Sequence, residues 1–121
     1  MARKIALTGA TLAVFAAIAV PALAKQTTQT IKTQTVAVTA SEYKFVLSKK
    51  VVPTNTRIIF KVSNIGVAPH DFKIAGKKTA LLQSQASAQF VVIFKKKGNY
   101  TYLCTVPGHA AAGMKGVLKV K

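Results

Sequence analysis

Cys104-Thr105-Val106-Pro107-Gly108-His109-Ala110-Ala111-Ala112-Gly113-Met114 is the segment on which the reading of this sequence turns. It carries a thiol, an imidazole and a thioether at Cys-x4-His-x4-Met spacing. Pro107, Gly108 and Gly113 let such a segment fold back tightly, so the three donor side chains can converge on one point. Upstream, Ala68-Pro69-His70-Asp71 places the other histidine at the start of an alternating run. The chain has no further cysteine or histidine, and Met114 is its only methionine besides Met1.

Strand patterns flank the segment on both sides. Tyr100 to Cys104 runs into it and Gly116 to Val120 leaves it. Further out, Val36 to Val38, Tyr43 to Leu47, Arg57 to Val62, Asp71 to Ile74 and Ala88 to Phe94 are short apolar or alternating runs. They are broken by Pro53, Ser63-Asn64, Gly66 and Gly76. Lys95-Lys96-Lys97-Gly98-Asn99 reads as a hairpin turn, and Leu81 to Ala88 as a loop with a helical turn. No internal repeat is visible. Short strands at this spacing, without a convincing amphipathic helix, predict an all-β antiparallel sandwich or barrel over residues 36–121.

Two stretches precede that domain. Met1 to Ala24 has a charged start at Arg3 and Lys4, an apolar run and a Pro21-Ala22-Leu23-Ala24 end. That is the layout of a secretory signal cut after Ala24. The other reading is an uncleaved anchor, because the run approaches the ~20 residues that span a bilayer. Residues 25–35, rich in Thr and Gln, read as a flexible leader that joins a first strand late. Export implies a periplasmic or other extracytoplasmic location. A single cysteine there can form no internal disulfide, so it is buried, paired with another chain or held by a metal.

Charge is the other outlying feature. The 121 residues hold 18 Lys+Arg against 2 Asp+Glu, a formal net charge of +16. Losing Arg3 and Lys4 with the signal brings it to +14. Glu42 and Asp71 are the only acids, so most anionic partners lie outside the chain. The lysines fall largely in turns and on alternate strand positions, where they also keep sheet edges from pairing. They are not interleaved with aromatics as in a base-stacking surface, and a secretory signal argues against nucleic acid.

Taken singly, each donor has an ordinary reading: Cys104 a buried hydrophobe, His70 and His109 structural, Met114 core filling. Taken together they use every Cys and His of the chain and every Met of its mature part. Two His, one Cys and a weak axial Met form the ligand set of a mononuclear blue-copper site, in which soft sulfur suits Cu(I) and imidazole also accepts Cu(II). Two histidines are too few for a trinuclear copper cluster, and one cysteine cannot bridge a binuclear centre. A catalytic Cys104–His109 pair oriented by Asp71 is a further alternative, but it leaves Met114 without a task and no oxyanion element is evident. Four filled ligand positions leave no open one for a substrate.

The Cys104 to Met114 segment and the stretch Asn64-Ile65-Gly66-Val67-Ala68-Pro69-His70-Asp71-Phe72 together resemble the cupredoxins, the family of plastocyanin, azurin and the auracyanin-like blue copper proteins. The resemblance covers nearly all of the mature chain. It implies a Greek-key β-sandwich with one copper ion near one end, held by His70, Cys104, His109 and Met114. It also implies that the His109 ring edge reaches the surface among small apolar residues. The family often has Asn after the first histidine. Asp71 stands there in this sequence, where it could tie the two ligand loops together and turn its N–H to the Cys104 sulfur. The loop spacing is closer to auracyanin-like members than to azurin or plastocyanin.

The expected function is therefore that of a monomeric, non-enzymatic electron carrier. Its partner would be an acidic redox protein such as a cytochrome or terminal oxidase domain, steered by the lysines. A membrane enters only through an uncleaved signal or weak electrostatics. The alternative is a periplasmic copper chaperone or storage protein.

Overall fold

Arg57–Asn64 shows how the sequence makes its sheets. Ile58, Phe60, Val62 and Asn64 are buried, while Arg57 and Lys61 on the opposite face are exposed. Side chains of a strand alternate between faces, so this segment needs an apolar layer on one side and water on the other. A computed structural model describes residues 9–121 and supplies that layer. Arg3, Lys4 and the start of the apolar run expected as a signal lie outside the described residues.

Among the described residues nine strands follow in order: β1 (Thr33–Ser41), β2 (Lys44–Leu47), β3 (Val51–Val52), β4 (Arg57–Asn64), β5 (Lys73–Ile74), β6 (Lys77–Lys78), β7 (Ser87–Ile93), β8 (Gly98–Leu103) and β9 (Lys115–Val120). One sheet has the order β2-β1-β4-β7 and the other β3-β9-β8-β5-β6. The chain crosses repeatedly between them, so the all-β sandwich is observed. Two pairings are parallel, β1 with β4 and β3 with β9; the rest are antiparallel. No helix among the described residues is long and apolar enough to cross a membrane.

Three expectations shift. β1 starts at Thr33, ahead of Val36, because Thr33 to Thr35 pair with Arg57 to Ile59. Leu81 to Ala86 holds no helix; Leu82 is pinned by a bridge to His70 instead. Lys95 to Lys97 is not a hairpin turn. β7 pairs with β4 and β8 with β9, so these lysines carry the chain from one sheet to the other. Phe94, buried between the sheets, fixes that crossing.

The core is aromatic at its centre. Phe60 and Phe72 are fully buried with ring centroids 5.6 Å apart, and Phe45 meets Phe72 edge-on at 5.2 Å. Phe45 also packs against a second apolar cluster, Ala40, Cys104 and Met114. The core thus continues directly into the ligand segment.

Candidate metal centre

Two loops at one end of the sandwich carry the donors. β8 ends at Leu103, delivering Cys104, and the chain returns to β9 through the segment ending at Met114. Within it, the N–H groups of His109, Ala112 and Met114 donate to Val106, Gly108 and His109 carbonyls at 3.0–3.1 Å. Gly108 turns the chain with φ of +84°, a conformation that a side chain would strain. The Cys104 N–H closes the loop on the Met114 carbonyl at 3.1 Å. His70 is held from the other loop by reciprocal backbone bonds with Leu82 at 3.0 and 2.8 Å.

The donors converge. One ligand atom each from His70, Cys104 and His109 lies within 4.8 Å of the other two. The two Nδ1 atoms are 3.1 Å apart, and Cys104 Sγ is 3.6 Å from His109 Nδ1. His70, Cys104 and Met114 are buried and His109 is half-buried. Met114 packs with Cys104 in the same cluster. Burial pushes the Cys104 thiol up, and the N–H groups of Asp71 and Val106 work against this by favouring its thiolate. Thiolate, two imidazoles and a thioether suit copper in both oxidation states. These residues fit one copper ion.

Asp71 joins the two ligand loops. Its Oδ1 accepts the Thr105 N–H at 2.6 Å and its Oδ2 accepts the Thr105 hydroxyl. Lys78 lies 4.0 Å away.

Sequence reading missed Glu42, which it counts as one of two acids and gives no role at the site. Its Oε1 accepts the Ala68 N–H at 2.6 Å and lies 3.3 Å from His70 Nε2. The Ala68 N–H, above all, holds this carboxyl below the ordinary carboxylate range. A carboxylate on the far nitrogen of a ligand histidine fixes its tautomer and ring orientation. The placement requires Gly66, since a Cβ there would meet Glu42 Oε1 at 2.5 Å. Asn64 was also missed. Buried at the end of β4, it donates to the Ala68 and Leu82 carbonyls at 2.9 Å and accepts the Gly66 N–H. The available signals were faint: a carboxylate in a chain with two, and an inward-facing amide at a strand end. Tyr43 adds an edge-on contact to the His109 ring at 5.0 Å.

A β-sandwich whose one end gathers Cys, two His and Met from two loops defines a small copper-protein class. Comparison with known proteins narrows it. The family of copper binding proteins that includes plastocyanin and azurin matches residues 19–121, and the chain belongs to it. Auracyanin-B of Chloroflexus aurantiacus is 43% identical over 54 residues, 45% of this chain and 23% of the relative. The chain thus matches less than a quarter of that relative's length. Dithionite-reduced auracyanin from Roseiflexus castenholzii superposes with a TM-score of 0.65 at 23% identity, covering 72% of this chain and 96% of the other. Rusticyanin from Thiobacillus ferrooxidans gives 0.65 at 22%, covering 76% and 79%. At those identities the two structures speak for the fold.

Proposed function

We propose that this protein is a monomeric one-electron carrier of an extracytoplasmic compartment, and not an enzyme. The observation that carries the reading is the mutual approach of His70, Cys104 and His109 within 4.8 Å beside a buried Met114. Bound copper would supply a one-electron couple with sulfur donors for Cu(I) and imidazoles that also accept Cu(II). The chain's part is to hold the donors in place beforehand: Asp71 ties the loops, Leu82 and Glu42 grip His70, and the Cys104–Met114 backbone bond closes the segment.

Electrons would pass at His109, the one half-exposed donor among three buried ones. Exposed Ile65 and Val67 on one loop, and Pro107, Ala111 and Ala112 on the other, surround this end with apolar surface. Such a surface allows close approach without strong attachment. Lys44, next to Tyr43, and Lys115, next to Met114, flank it and would steer an acidic cytochrome or oxidase domain. The apolar run ending Ala22-Leu23-Ala24 supports export.

The test measures electron exchange with an acidic cytochrome beside copper transfer to an apo-acceptor. Fast exchange that slows with salt, and slows again in Lys44→Glu/Lys115→Glu, is expected. Copper transfer outrunning electron exchange would make the protein a copper chaperone instead.

A further inference from the structure

β1 and β2 supply no metal donor, yet the hairpin they form touches all four. Ser41 pairs with Lys44, which leaves Glu42 and Tyr43 as a two-residue turn. Ala40 ahead of the turn and Phe45 behind it pack with Cys104 and Met114. Glu42 reaches His70 Nε2 at 3.3 Å. Tyr43 reaches the ring of His109, with ring centroids 5.0 Å apart and planes at 76°. The hairpin is fastened to the His70 loop, since the Ala40 carbonyl accepts the Ile65 N–H at 2.9 Å and Glu42 accepts the Ala68 N–H at 2.6 Å. It also abuts the other loop: a Cβ at Gly113 would stand 3.7 Å from the Tyr43 carbonyl oxygen.

The two imidazoles differ in what else holds them. His70 is fully buried, tied to Leu82 through its backbone and to Glu42 through its far ring nitrogen. His109 is half-buried, and its Nδ1 faces His70 and Cys104. Among the described residues no group hydrogen-bonds its Nε2. The last torsion of a histidine side chain has no sharp preference of its own, so packing must set the angle of this ring. Besides His70, Tyr43 is the one aromatic ring against it among the described residues. An edge-to-face aromatic pair prefers a definite geometry and biases an orientation by up to about tenfold. The Tyr43 side chain is half exposed, and its hydroxyl bonds no other described group, so the contact uses the ring alone.

We propose that Tyr43 is a positioning residue: its ring fixes the angle of the His109 imidazole, as Glu42 fixes that of His70. One two-residue turn thereby holds both imidazoles ready for the metal. Only the benefit rests on the electron-carrier reading, since a half-exposed donor that kept turning would have to be placed again for each electron. The positioning itself stands on the chain's own contacts.

The test compares the unaltered protein with Tyr43→Phe, which keeps the ring, and Tyr43→Leu, which keeps apolar bulk without it. In the metal-free protein, proton NMR should show the His109 ring protons displaced by the tyrosine ring current and cross-relaxing with the tyrosine ring protons. Tyr43→Phe should retain both effects, and Tyr43→Leu should return the His109 signals towards those of a free histidine. With copper bound, release of Cu(I) to a chelator should be about tenfold faster from Tyr43→Leu, the lower end for losing a ligand's outer partner, and within about twofold of the unaltered protein in Tyr43→Phe. Unmoved His109 signals in Tyr43→Leu, or equally fast release from both variants, would overturn the proposal and make Tyr43 plain surface packing. Should Tyr43→Leu not fold, the other two proteins still decide: without cross-relaxation between residues 43 and 109 the proposal falls. Electron exchange is a separate readout, so its absence in a protein that passes this test would defeat the carrier reading and leave the positioning intact.

Discussion

His70 is gripped at both ends of its ring: Nδ1 faces His109 at 3.1 Å and Nε2 faces Glu42 at 3.3 Å. The donors themselves were legible in the sequence, because their types and spacing already point to one chemistry. Glu42 was not. Its contact depends on how the 65–69 loop folds towards β1, which no local pattern encodes. Gly66 makes the contact testable without touching a donor. Gly66→Ala places a methyl where the carboxylate sits and should displace it. It should therefore shift the reduction potential in the same direction as Glu42→Gln: upwards, since a carboxylate on the imidazole favours the more positive oxidation state. Unchanged potentials in both variants would reduce Glu42 to a loop fastener.

β4 and the Cys104–Met114 segment are the elements that build the site. Their strand and turn character could be read from alternation and from Gly and Pro. Sheet membership could not: Lys95 to Lys97 has the composition of a hairpin turn, yet buried Phe94 sends the chain to the other sheet. Parallel pairing of β1 with β4 was equally hidden, being a relation between distant segments. Phe60 on β4 lies under Phe72, Phe90 and Phe94. Phe60→Ala should cost about 3–5 kcal/mol in denaturant unfolding, the usual range for a buried Phe lost from a core. A loss under about 1 kcal/mol, typical of surface changes, would mean that the sheets pack otherwise.

The whole molecule is a cationic sandwich with its carboxylates confined to one end. Sequence gave warning of the imbalance but not of the polarity, which depends on the topology. Few carboxylates also means little stability lost to their protonation. Glu42 has its folded value lowered, so what its contacts contribute is complete above the unfolded carboxylate value and disappears only as pH falls through the lowered one. The apo-protein should stay folded through pH of about 4–5, where free carboxylates titrate. Circular dichroism showing unfolding in that window would contradict this. The central claim, that Cys104 joins His70, His109 and Met114 around one copper ion, meets its most direct test in the visible spectrum of the Cu(II)-loaded protein. An intense thiolate-to-copper band that disappears in Cys104→Ser is the predicted result; a colourless wild-type protein with stoichiometric Cu(II) bound would contradict it.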